Sequence, residues 1–291
     1  MHTSRNLIYL LIVAFLSEGF PALAQVKDST AAKGPAVSRE KTHLNLGVTY
    51  NSAMNYYGRV DSLKSRGIYP FVGVSFKNGL YLNSTFVFTD NSIASQYAAT
   101  LLEGGYNFKS SNGNWAGNLS ASKYFYQAGT DLVQSAVKEV VAASLTNLNK
   151  IVNVTIEADA KFSDHIDPGM QAGLDHTIRF TRLLSEKDVL VLDPSAYVYA
   201  GTQRFTQTFF QQKNLLLIPI AEQQLTKNSQ EFSILAYELS MPVVYGYKKF
   251  NFIFSPAYIL PQHLLSTSGQ PIASGAAENL FYLTLTVKFS F

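Results

Sequence analysis

At 291 residues the chain is long enough for one sizeable core or one large closed sheet, and its formal net charge of +3 is too small to argue for a nucleic-acid partner. Without cysteine it has no disulfide framework, zinc–thiolate site, cysteine nucleophile or lipid-anchored cysteine. Charged residues make up 15%, against about 25% in a soluble domain. The chain also holds 17 Tyr and 20 Phe, and this balance suits a sheet with one face in lipid.

His2 and Arg5 precede the apolar run Leu7 to Leu16, and Pro21-Ala22-Leu23-Ala24 sets small residues at the spacing of a cleavage site. Residues 1–24 therefore read as a signal peptide removed after Ala24. The run is too short for a membrane anchor, which needs about twenty apolar residues. Residues 25–42 show no apolar period and read as a flexible periplasmic leader.

From His43 the pattern is apolar–polar alternation cut by turn residues, the signature of half-buried strands. Strand one reads as 43–57, with Leu44, Leu46, Val48 and Tyr50 on its apolar face and Gly58 to Arg66 as a polar loop. Strand two, 67–77, carries Val72, Val74 and Phe76 and reverses at Lys77-Asn78-Gly79, a tight-hairpin signal. Strands three (80–90), four (97–108) and five (114–126) follow, with Ser110-Ser111-Asn112-Gly113 turning four into five. Leu132, Val133, Ala136, Val137, Val140 and Val141 recur at helical spacing, so 131–139 reads as a short helix or an irregular loop, and strand six starts near Val140.

Strand seven, 151–163, alternates Val152, Val154, Ile156, Ala158 and Ala160 against Asn153, Thr155, Glu157, Asp159 and Lys161, and Asp164 to Gly169 reads as its turn. Strand eight, 169–182, sets Met170, Ala172, Leu174, Ile178 and Phe180 against Gln171, Asp175, Thr177 and Arg179. Strand nine, 188–205, contains Pro194, which weakens its ladder locally. The longest connection, 207–230, holds Leu215-Leu216-Leu217-Ile218-Pro219-Ile220 and either covers the mouth, folds inward or extends a neighbouring strand. Strands ten (231–247) and eleven (249–262) meet at Tyr247-Lys248-Lys249, and a Ser/Gly/Ala/Pro loop, 264–278, leads to the last strand.

That last strand places Phe281, Leu283, Leu285, Val287, Phe289 and Phe291 on one face and Tyr282, Thr284, Thr286, Lys288 and Ser290 on the other. It resembles the closing strand of bacterial outer-membrane β-barrels, which ends in alternating apolar residues and a terminal Phe. The resemblance implies that Leu283, Leu285, Val287, Phe289 and Phe291 form an assembly signal read by the barrel-assembly machinery. It also implies a bacterial outer-membrane location, with membrane lipid and lipopolysaccharide as surroundings. The fold class that follows is all-β: residues 43–291 form a single closed antiparallel transmembrane β-barrel of about 12 strands, an even number. Short reversals at 77–79, 108–113, 147–150, 183–187 and 247–249 then fall at one end, assigned to the periplasm, and mostly longer connections at the other. A soluble sandwich would not need that phase. Tyr50, Phe88, Phe125 and Phe162 on one side, and Phe76, Phe108, Phe180, Phe250 and Phe291 on the other, fit two interfacial girdles.

The polar face carries Glu103, Glu157, Asp159, Lys161, Asp175, Arg179, Asp193, Glu238 and Lys288, which suits a watered lumen rather than a dry core. Twelve strands lie between a filled and an open interior, so both a narrow pore and a plugged barrel stay open. The leading function is a narrow pore for small polar solutes or ions, with these charges setting selectivity. The alternative is a closed barrel binding an external partner through its loops. An outer-membrane lipid hydrolase ranks third: none of His43, His165, His176 or His263 is followed two residues on by Ser, as the lipid-degrading barrels' His-x-Ser pattern requires. His176 falls on the apolar face, with Ile156 and Ala196 as its anticipated neighbours, and Ser163, Asp164, His165 and Asp167 cluster on a loop. No phosphate loop, metal-ligand spacing or cofactor motif appears, and no catalytic residue is assigned. Counting across the turns puts Arg179 opposite Asp193 as a bracing ion pair and Asp175 near Glu157.

Overall fold

Lipid offers the backbone no hydrogen-bond partner, so a sheet with one greasy face escapes unpaired edges only by closing on itself. The computed structural model describes residues 42–60, 64–128, 136–204, 229–262, 266–267, 270–271 and 279–291, and its main sheet does close. The first six strands are β1 (His43–Asn51), β2 (Arg66–Ser75), β3 (Leu80–Asp90), β4 (Ser95–Lys109), β5 (Trp115–Tyr126) and β6 (Glu139–Asn147). β7 (Asn153–Phe162) is followed by three strands with two-residue breaks: β8 (Ile166–Asp175 and Ile178–Thr181), β9 (Asp188–Leu192 and Ser195–Gly201) and β10 (Ser233–Ser240 and Val243–Tyr247). β11 (Phe250–Pro261) and β12 (Leu280–Ser290) complete the set.

Each strand pairs antiparallel with its sequence neighbour, and β12 pairs with both β11 and β1. The seam runs from Asn45↔Ser290 to Asn51↔Thr284. The result is an all-β, closed, antiparallel twelve-stranded barrel. Its short reversals, beginning with 76–79 and 110–114, share one end with His43 and Phe291, here called the turn end; the opposite end is the loop end. The signal peptide 1–24, the leader up to residue 41, the run Leu215 to Ile220 and most of 264–278 lie outside the described residues.

Period-two alternation decides which face each residue takes. Leu44, Leu46 and Val48 face outward while Asn45 and Thr49 are buried inside; Val154 and Ile156 face outward while Asn153 and Thr155 are buried. The girdle residues Phe76, Phe125, Phe180, Phe250 and Phe291 are all exposed on the outer wall. Leu285 and Val287 of β12 are likewise exposed outward.

Two strand boundaries that shape the lumen differ from the sequence expectation. β1 stops at Asn51 rather than running to residue 57. β8 starts at Ile166, so Asp167, Pro168 and Gly169 belong to a strand and not to a turn. The reversal is shorter, with the Ser163 N–H donating to the His165 carbonyl. Pro168 is tolerated because the ladder with β9 begins only at Gly169↔Gly201, past the position that lacks an N–H.

Candidate functional site

The lumen is the site, and its loop half is filled by the chain's own first connection. After Asn51 the chain folds inward as a small hairpin, Asn55–Tyr56 pairing with Arg59–Val60. Tyr57 (φ 53°) and Gly58 (φ 77°) form its two-residue turn, and both take the left-handed conformation that a primed hairpin turn demands. Glycine enters that region freely; tyrosine does not. A Cβ at Gly58 would also lie 2.9 Å from Pro261 Cγ, so the tip rests directly on β11. The Asn55 side-chain oxygen accepts from the Gly58 N–H at 3.2 Å, closing the turn from inside.

The hairpin is held on several sides of the wall. Its Tyr57 ring lies 5.7 Å from that of Tyr199 on β9, and the Lys161 ammonium on β7 sits 5.9 Å from the centre of Tyr57. Lys161 pairs with Asp159, so the cation beneath the ring is itself neutralised. At the base, the Ser52 N–H donates to Leu283 O at 2.9 Å and the Ser52 hydroxyl accepts from the Leu283 N–H at 2.8 Å. Met54, Tyr56 and Tyr57 join a buried cluster drawn from β2 to β6 and β9 to β12, among them Tyr69, Val87, Leu101, Tyr124, Leu235 and Ile259. Tyr56 is 1% exposed. Ala136 and Val137, from the segment with helical spacing, enter the same cluster.

Towards the turn end the filling changes character. Short side chains pair across the strands: Thr146 with Thr155 at 2.8 Å, Ser195 with Ser240 at 2.7 Å. Larger rings lie flat against the wall over glycines, Tyr81 over Gly105 and Tyr197 over Gly173, where any Cβ would meet the ring. A small apolar patch of Val189, Val191, Val244 and Ile253 lines one side.

All nine charged positions anticipated for the polar face lie on the inner side of the wall, in different surroundings. Glu103 is buried and accepts from the Ser122 hydroxyl at 3.1 Å; Glu238 is buried and accepts from the Tyr282 hydroxyl at 3.0 Å. Lys161, Asp175, Asp193 and Lys288 are buried, and Glu157 and Asp159 are half-buried. Arg179 is exposed near the turn end.

The two anticipated pairings are corrected. Arg179 stands opposite Val191, not Asp193, whose carboxylate accepts from the Thr177 hydroxyl at 2.9 Å. The reversal sets Thr181 opposite Val189, and Asp188 closes it: its carboxylate accepts from the amides of Leu183, Leu184 and Ser185. Asp175 stands opposite Asn153, which donates to it at 2.8 Å, and Glu157 stands opposite Gln171, because the β7–β8 reversal is shorter than anticipated. The same offset changes the setting of His176, whose backbone N–H donates to Pro194 O while Ala196 faces Leu174.

Sequence reasoning overlooked the hairpin residues Tyr56, Tyr57, Gly58 and Arg59. It also read Asp167 as a loop residue. Asp167 is completely buried and accepts from the Thr202 hydroxyl and the Arg204 N–H, both at 2.6 Å, so it anchors the start of the longest connection. Among the described residues no cluster of His, Asp and Glu could hold a metal ion.

No family model and no curated protein matches the chain. Among solved structures it is similar to the KdgM porin, at 8% identity and a TM-score of 0.48, covering 85% of this chain and 99% of that one. It is also similar to LpxR from Salmonella typhimurium, at 10% identity and a TM-score of 0.49 over 84% and 99% of the two chains. A third is the translocator domain of the autotransporter NalP from Neisseria meningitidis, at 12% identity and 0.43 over 86% and 88%.

Proposed function

We propose that this chain is an outer-membrane barrel enclosing a passage for small polar solutes or ions, and that the described conformation is its shut state. The observation that carries this reading is the hairpin at 55–60, inserted into the loop half of a lumen whose remaining wall is polar and charged. The apolar outer wall, with Leu46, Leu82, Leu119, Ile156, Leu174 and Phe252 exposed in one belt, is what a lipid solvent would stabilise. In that reading the turn end faces the periplasm, and β12 carries the assembly signal.

A stopper made from a loop differs from a filled core in one respect: it is tethered at its ends and can leave without breaking a barrel ladder. Tyr57 in the left-handed region stores about 1–3 kcal/mol against the inserted state. The polar wall beyond the hairpin, towards the turn end, is then a surface that water can cover.

The test is conductance of the refolded protein in a planar lipid bilayer. The parent should be silent or show brief openings. A variant with residues 53–60 replaced by a Gly/Ser linker should give steady openings at the same protein density. Silence from a variant shown to be folded and inserted would remove the passage and leave a closed barrel that binds an external partner through its loops.

A further inference from the structure

Each of the five reversals at the turn end carries or directly adjoins at least one cation. Lys77, Lys109, Lys150, Lys187, Lys248 and Lys249 are distributed around the whole rim, and Arg182 joins Lys187 in the fourth reversal. All but the half-buried Lys109 are exposed. Opposing charge is sparse: Glu186, the carboxylate of Phe291, and Asp188, whose oxygens are occupied by the amides of its own turn. The loop end is different. There Lys123 pairs with Glu139 at 2.7 Å and Lys138 with Asp164 at 2.8 Å, so two of its exposed lysines are answered by carboxylates. Among the described residues no such ion pair forms on the turn-end cations.

The height of two of these cations is also fixed. The Lys248 ammonium lies 5.0 Å from the centre of the Tyr247 ring, and the Lys249 ammonium lies 5.9 Å from Phe289 and 5.7 Å from Phe291. Phe289 lies against both Phe250 and Phe291, tilted to the first and edge-on to the second, with centroids 4.6 Å and 4.4 Å away, and Phe250 and Phe291 are exposed on the outer wall. An aromatic girdle sits at the boundary between hydrocarbon and headgroups, so a cation just beyond it stands at the depth of lipid phosphate.

We propose that the turn end is a collar that binds the phosphates of anionic phospholipids around the barrel. The collar rests on the membrane half of the preceding reading and is independent of the passage. Unpaired exposed cations at the phosphate plane attract anionic headgroups over a Debye length, and several of them around one rim act on a whole annulus of lipid.

The experiment is electron spin resonance of spin-labelled lipids with the refolded protein in phosphatidylcholine vesicles. Lipid touching the barrel gives a motionally restricted signal. Spin-labelled phosphatidylglycerol should be enriched in that signal several-fold over spin-labelled phosphatidylcholine at low salt, and the enrichment should fall as salt rises. The variant K77Q/K150Q/K248Q/K249Q should keep the restricted signal and lose most of the enrichment, with K77Q/K150Q intermediate. K123Q/E139Q at the loop end should behave as the parent. A restricted signal without preference in the parent, or a preference that survives in the fourfold variant, would overturn the collar. Absence of any restricted signal would instead remove the membrane reading on which it rests.

Discussion

The loop half and the turn half of the lumen are walled by the same twelve strands and are filled by different means. In the loop half the wall presents Tyr69, Val87, Leu101, Tyr124, Leu235 and Ile259, and a separate piece of chain is laid into the space between them. In the turn half the wall's own Thr, Ser and Asn side chains meet across neighbouring strands, and no additional segment enters among the described residues. A barrel of this size leaves more interior than short side chains fill. The difference shows two ways of dealing with that space. Bulky rings and an inserted ribbon give a dry, cohesive plug whose stability comes from apolar burial. Small hydroxyls give a hydrogen-bonded lining in which each contact is worth little.

The comparison is open to a direct attack on the plug. Tyr56→Ala removes a fully buried ring from the loop half, and a truncation of that kind costs about 3–5 kcal/mol. We expect a clear drop in the denaturant midpoint in detergent micelles together with more frequent openings in a bilayer. A midpoint within error of the parent would mean that the hairpin adds nothing to the barrel. The next test concerns the charges below the plug. In the variant lacking 53–60, Glu157→Gln with Asp175→Asn should reduce cation-over-anion selectivity, read as the reversal potential under a salt gradient. Selectivity equal to that of the unneutralised variant would show that these acids do not face the conducting path. The smallest effect belongs to the turn half. Thr146→Val removes one partner of the 2.8 Å contact with Thr155 and should cost about 1 kcal/mol with no change in conductance. A loss as large as that of Tyr56→Ala would erase the distinction between the two halves.

Alternation made the walls legible from the sequence, because a one-residue slip would turn every apolar side chain inward. Leu80 to Asp90 occupies the anticipated strand, and the in-phase short and long reversals recur in the barrel. The plug was not legible. Met54 to Val60 has no helical or strand period of its own, and its turn is Tyr-Gly rather than the Asn-Gly or Asp-Gly that marks a hairpin. Its burial depends on walls contributed by strands as distant as β11 and β12. The charged positions were found by their place on the polar face, whereas their pairing depended on the size of each turn. Asp167 and Pro168 look like turn residues in composition and are strand residues in the fold. A turn centre displaced by one residue moves the opposing register by two, enough to exchange Asp193 for Val191 across from Arg179.

The seam between β1 and β12 has a consequence for how the gene could be rearranged. His43 Nδ1 and the Phe291 carbonyl oxygen are 3.2 Å apart, and the Phe291 N–H donates to Leu44 O at 2.9 Å. The two ends of the barrel segment are therefore neighbours, as close as the ends of any of its tight turns. A short bridge could join them, and new ends could be opened in the exposed reversal at Ser111-Asn112-Gly113, far around the wall. Such a circular permutant would keep every ladder while making β5 the first strand and β4 the last, and Leu44 to Tyr50 would become an interior segment of the polypeptide.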